Sequence, residues 1–181
     1  LPVKATESGS EKSAALMQGI LDQIRELLKD EGQISGVLAR GFAAYEGFPS
    51  FQERYGLRAL AIAQYPMYRG VARLVGMDVK DVPAETGELP EILKKHFDDY
   101  DFFFLHFKYT DSRGEDGDFD AKVKAVESID PLVARIKDLD PEVLVVTGDH
   151  STPATFKAHS WHAVPVLIDS PWARPTGGGF G

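Results

Sequence analysis

Between Val143 and Pro153, a short apolar run, Val143-Leu144-Val145-Val146, leads directly into Thr147-Gly148-Asp149-His150-Ser151-Thr152-Pro153. A segment this short, apolar and β-branched reads as a buried central strand. Gly148 lets the chain turn sharply at the strand's end, so the Asp149 carboxylate and the His150 imidazole emerge together at its C-terminal edge. In open α/β sheets that edge is where ligands bind. After such a turn, an adjacent acid and imidazole can serve one metal or two neighbouring ones.

Two further segments have the same build. Phe102-Phe103-Phe104-Leu105-His106-Phe107 is a second apolar run, and it ends in Lys108-Tyr109-Thr110-Asp111-Ser112-Arg113-Gly114-Glu115-Asp116-Gly117-Asp118. His159-Ser160-Trp161-His162 precedes the short apolar strand Val164-Pro165-Val166-Leu167-Ile168. Taken alone, the acidic stretch 111–118 is ordinarily a solvated loop, and His96 and His106 have structural roles. Together, the three clusters offer carboxylates from one strand end, Asp and His from the next, and His from a nearby loop. Mixed N/O ligand sets of this kind suit Mn, Zn or Mg, with imidazole favouring the transition metals. More than four candidate ligands suggest two ions a few ångströms apart, the arrangement used on phosphoryl groups.

The rest of the chain alternates strand and helix. Strands are expected at 57–63, 102–107, 143–147 and 164–169, and helices at 66–76, 89–97 and 119–139. In the last helix Asp130-Pro131 either kinks it or caps a second segment. Pro66 sits where a proline is tolerated in a first helical turn. Strands separated by helices indicate an α/β fold, a mostly parallel sheet flanked by helices with right-handed crossovers. Upstream, Met17, Ile20, Leu21, Ile24, Leu27 and Leu28 recur at helical spacing between Ser8-Gly9-Ser10 and Gly32. Residues 34–56 are irregular, with Val37-Leu38-Ala39 as a short strand.

Composition narrows the function. The 181 residues, 43% of them hydrophobic, suit one domain or one domain plus part of another. No segment reaches the apolar length needed to cross a bilayer. A net charge of −8 argues against nucleic acid as a partner. With no cysteine, disulfides, zinc–thiolate sites and thiol nucleophiles are excluded, which fits a cytoplasmic protein. The first residues, Leu1-Pro2-Val3, do not resemble a signal peptide.

Several phrases of the chain resemble the archaeal-type, cofactor-independent (2,3-bisphosphoglycerate-independent) phosphoglycerate mutases of the alkaline phosphatase superfamily. They are Arg40-Gly41-Phe42, Tyr65-Pro66-Met67-Tyr68-Arg69-Gly70-Val71-Ala72, His106-Phe107-Lys108 with Thr110-Asp111, Gly114-Glu115-Asp116-Gly117-Asp118, Thr147 to Pro153, and His159-Ser160 leading to Val164-Pro165-Val166. They arrive in the family's order and cover nearly the whole chain. The resemblance implies a fold and a reaction. The fold is a partial alkaline-phosphatase-like core at 53–181, preceded at 1–52 by the C-terminal part of an inserted cap domain. The reaction interconverts 3- and 2-phosphoglycerate through a phosphoserine, with two divalent metal ions (Mn, Zn, Mg or Co) and no organic cofactor.

On that resemblance Asp111, Glu115 and His159 hold one metal. Asp149 and His150 hold the other, together with an early Asp and the nucleophilic serine, both expected upstream of Leu1. Many relatives have His where this chain has Glu115, which bears on the geometry and metal preference of that site. Arg40, Arg69 and Lys108 stand in phrases that adjoin the cleft and are the candidates for binding the substrate's phosphate and carboxylate, with Arg113 a weaker fourth. The chain therefore reads as a fragment of a mutase, inactive alone. Two other readings use the same residues: a metal-dependent phosphomonoester hydrolase, and a non-catalytic binding module. Composition and motifs leave the oligomeric state open.

Overall fold

A computed structural model describes residues 2–34, 36–39, 45, 47–80, 86–175 and 177. The chain divides into two compact units, Leu1–Glu46 and Gly47–Gly181. The first is built on α1 (Glu11–Leu27), the helix expected from the 17–28 periodicity. The backbone N–H of Val3 donates to Gln18 Oε1 at 2.8 Å, tying the incoming chain to the helix. No residue of α1 is buried. Val37-Leu38-Ala39 is not a strand, and Leu38 is 98% exposed.

In the second unit, α2 (Phe51–Tyr55) opens on a capping box between Ser50 and Glu53 and packs Phe51 on Phe102 with ring centroids 4.7 Å apart. It leads into β1 (Ala59–Ala63), all five residues of which are buried. β1 is the centre of a parallel sheet ordered β2-β1-β3, with β2 at Asp78–Val79 and β3 at Phe102–His106. Register runs from Ala59 opposite Phe102 to Ala63 opposite His106. Just before that ladder, the Arg58 guanidinium grips both oxygens of Asp101, at 3.0 and 2.9 Å.

The pleat sorts β1 into two faces. Leu60 and Ile62 point into the main core with Leu89 and Leu93 of α4 (Leu89–Lys95), Ile136 of α7 (Asp130–Lys137), and Phe103 and Leu105 of β3. Fully burying side chains of this size stabilises the fold by roughly 1.5–3 kcal/mol each. Ala59, Ala61 and Ala63 make the other face, which is flat enough for α3 (Pro66–Leu74) to lie close, with Ala72 buried. Tyr68 of α3 reaches Phe104 and His106 of β3 on that same face. Helices thus flank the parallel sheet on both sides, as the strand–helix alternation implies.

The sheet departs from expectation at its far end. β4 (Leu144–Thr147) and β5 (Val166–Asp169) pair with each other, antiparallel, and not with the β2-β1-β3 sheet. β4 is also not a fully buried central strand. Its residues alternate half-buried and exposed, Leu144 facing the main core and Val145 facing outward. Periodicity could not separate a strand buried on two faces from one buried on a single face, because the β-branched run is apolar on both. The expected long helix at 119–139 is two helices, α6 (Phe119–Glu127) and α7. Pro131 lacks the N–H that would bond the Glu127 carbonyl, so the ladder stops there and Pro131 becomes part of the next helix's first turn. Among the described residues no helix is long and apolar enough to cross a membrane.

Candidate metal centre

The acidic stretch after β3 is a helix rather than a loop. α5 spans Tyr109–Asp116 and ends where Gly117 takes a left-handed φ of 76°. Helical pitch brings residues four apart onto one face, so Asp111 and Glu115 project side by side. Gly114 is buried in the same helix. A Cβ there would stand 2.2 Å from the Thr152 carbonyl oxygen, so only glycine lets α5 come this close to the segment that follows β4.

That segment is folded by a short antiparallel bridge between Ser151 and Ser160, in which the Ser160 N–H donates to the Ser151 carbonyl at 2.9 Å. His150 and His159 each precede one member of the bridge. Their rings consequently lie together, centroids 3.9 Å apart. His159 Nε2 is 3.7 Å from Asp111 Oδ1 and 3.7 Å from Glu115 Oε1. His150 Nε2 is 3.6 Å from Asp149 Oδ2, while its Nδ1 is 3.8 Å from Asp111 Oδ1. Asp111, His150 and His159 each present one donor atom within 4.8 Å of the others. Donors sharing an ion at about 2.0–2.2 Å stand roughly 3–4 Å from one another, so this spacing suits a cation between them. Two carboxylates around imidazole nitrogen also form the donor chemistry that suits Mn, Zn or Co.

Part of the cluster's negative charge is offset by Lys108. The Lys108 ammonium hydrogen-bonds Asp111 Oδ2, lies 3.9 Å from Glu115 Oε2, and sits 5.4 Å above the Tyr65 ring. The bond to Asp111 raises the Lys108 pKa. At Asp111, burial pushes the carboxyl up, but hydrogen bonds from Lys108 and Thr152 outweigh it and hold the pKa below the usual range. Asp149 behaves alike: burial raises it, and the Tyr68 hydroxyl and His150 more than offset that.

Two partners in this site were not among the residues singled out from sequence. The Tyr68 hydroxyl donates to Asp149 Oδ2 at 2.7 Å, which links the chain after β4 to the first turn of α3. Its own pKa is pushed up to about 12 by that bond and by burial. The Tyr68 ring stacks on His106 at 3.7 Å, and burial lowers the His106 pKa. Thr152, buried at 4% exposure, is the second. A signal for each existed: Pro66 starts α3 and so sets Tyr68 on its first turn, and Thr152 sits two residues beyond His150. Of the expected anion-binding residues, Lys108 is at the cluster, Arg69 follows Tyr68 in α3 and is half-buried, and Arg40 lies outside the described residues.

A parallel sheet flanked by helices, with carboxylates and imidazoles gathered just after β3 and β4, defines an α/β core with a candidate metal centre. The chain belongs to the metalloenzyme superfamily, whose family model matches residues 7–178. It is 48% identical over 165 residues to the probable 2,3-bisphosphoglycerate-independent phosphoglycerate mutase of Thermotoga sp. strain RQ2, covering 91% of this chain and 41% of that protein. To the probable enzyme of the same name from Thermus thermophilus it is 49% identical over 177 residues, covering 96% and 44%. A solved protein structure from Pyrococcus horikoshii superposes with a TM-score of 0.70 at 34% identity, over 90% of this chain and 49% of that one. The chain thus spans less than half the length of these relatives.

Proposed function

We propose that this chain is the metal-binding part of a cofactor-independent phosphoglycerate mutase, which moves a phosphoryl group between the 3- and 2-positions of glycerate. The observation that carries the reading is the gathering of Asp111, Glu115 and His159 on one side of His150, with Asp149 on the other. The 48–49% identity to the Thermotoga and Thermus proteins supports it.

In this reading Asp111, Glu115 and His159 hold one divalent ion, and Asp149 and His150 hold a second. Bound ions would supply positive charge against phosphoryl oxygens and acidify a hydroxyl at an open position. Tyr68 fixes the Asp149 carboxylate by its 2.7 Å hydrogen bond. Lys108 offsets part of the charge of Asp111 and Glu115, and its ammonium is within a side-chain rotation of a phosphate placed at the cluster. Arg69 binds an anionic group of the substrate, for which a guanidinium's paired donors are suited. The serine that carries the phosphoryl group comes from a part of the protein outside these residues, and residues 1–52 belong to the C-terminal part of an inserted cap domain. The setting is cytoplasmic.

The test uses the complete protein with added Mn²⁺ and 3-phosphoglycerate. Conversion to 2-phosphoglycerate without release of inorganic phosphate is expected. Phosphate release without isomerisation would make it a hydrolase instead. Metal uptake with neither reaction would make it a binding module. Arg69→Ala should chiefly raise KM.

A further inference from the structure

Thr152 occupies the middle of the metal cluster without offering it a ligand. Its hydroxyl hydrogen is committed to Asp111 Oδ1, since a carboxylate can only accept. His150 Nδ1 lies 3.1 Å from the same hydroxyl oxygen. With the hydroxyl's one proton spent on Asp111, the His150–Thr152 bond exists only if Nδ1 carries the hydrogen and the oxygen accepts it. In the neutral ring the other nitrogen, Nε2, then keeps its lone pair, and it is the one that faces Asp149 Oδ2 at 3.6 Å. Gly114 keeps this arrangement in place, because α5 reaches Thr152 only where no Cβ intervenes. At 4% exposure Thr152 has little water to substitute for either partner.

We infer that Thr152 is a positioning residue that sets the His150 tautomer and couples the Asp111–Glu115–His159 ligands to the Asp149–His150 ligands through one hydroxyl. The inference rests on the metal-binding reading above. Outer-shell partners of this kind typically change metal affinity by about 10–100-fold when removed. Loss of the hydroxyl would free Asp111 Oδ1 and leave His150 to adopt either neutral form.

The experiment compares the complete wild-type protein with Thr152→Val, close in shape, and Thr152→Ser, which keeps the hydroxyl. Two readouts are taken: Mn²⁺ binding by calorimetric titration, and the His150 tautomer by ¹⁵N correlation spectroscopy on metal-free protein. Thr152→Val is expected to weaken Mn²⁺ binding by about 10–100-fold and to move the His150 hydrogen from Nδ1 towards Nε2. Thr152→Ser should restore both. Thr152→Val binding Mn²⁺ like the wild type would overturn the inference alone and leave the proposed function standing. A Thr152→Ser protein as impaired as Thr152→Val would also overturn it, since shape rather than the hydroxyl would then matter. Wild-type protein that takes up no Mn²⁺ would overturn both readings, whereas tight Mn²⁺ binding without mutase turnover would sink only the proposed activity.

Discussion

β1 and β4 are both short apolar strands, and the structure uses them in opposite ways. β1 is buried along its whole length, between α4 and α7 on one face and α3 on the other, and has no polar side chain. β4 is half-exposed, paired among the described residues only to β5, and opens directly onto Gly148-Asp149-His150. Stability is concentrated where no chemistry is placed, and the proposed metal ligands stand on α5 and on the segment after β4. Rigid ligand positions then depend on two specific links between the regions, the Tyr68–Asp149 bond and the Gly114–Thr152 approach, and on the Ser151–Ser160 bridge within the ligand segment.

Given that separation, substitutions should divide cleanly between activity and stability. Asp149→Ala and His159→Ala in the complete protein are expected to bring turnover of 3-phosphoglycerate to background while leaving the urea midpoint nearly unchanged. A large fall in midpoint would show that the ligand turns are part of the stabilising core. Leu60→Ala should do the reverse. It opens a cavity at a site with no exposure, costing about 2–5 kcal/mol in urea unfolding, with Mn²⁺ affinity retained below the transition.

Gly114→Ala probes the junction, where both effects are expected at once. The added methyl meets the Thr152 carbonyl at 2.2 Å, so α5 or the 149–153 segment must shift. Overpacking of this kind costs about 1–3 kcal/mol, and Mn²⁺ affinity should fall with it. Stability lost with affinity intact would mean that the ligands tolerate the shift.

The smallest effect belongs to the ion pair that starts the β1–β3 ladder. Arg58 hydrogen bonds hold the Asp101 carboxyl down to about 2, from an ordinary value of 3.8. A depressed folded-state pKa means the contribution is fully present above about pH 4 and is lost as pH falls from there through about 2. Asp101 is exposed, so solvent screens the pair and the effect is slight. Asp101→Asn should flatten the acid limb of the stability profile in that window and leave neutral pH and metal binding alone; an unchanged acid limb would remove the pair from the account.

Local pattern carried a good deal. The alternation of apolar runs with amphipathic segments located β1, β3, β4, β5 and α1, α3 and α4 to within a few residues, because burial on one or both faces leaves a periodic trace in the chain. Gly148 after β4 marked the turn that carries Asp149 and His150. The acidic run 109–118 misled, since a helix that is polar on nearly every side has no apolar stripe to betray it. The clue was the Asp111–Glu115 spacing with Gly117 at the end.

What the residues determined by themselves was the material: an α/β chain without thiols, with carboxylates and imidazoles placed just beyond apolar strands. What tertiary structure decided was which of them meet. His159 and His150 are brought together by a bridge between Ser151 and Ser160, and Tyr68 meets Asp149 across 81 positions of sequence. Thr152 meets Asp111 across 41 positions. Such contacts leave no periodic signature, because their geometry is set by how helices lie on a sheet and by where a missing Cβ lets two backbones touch.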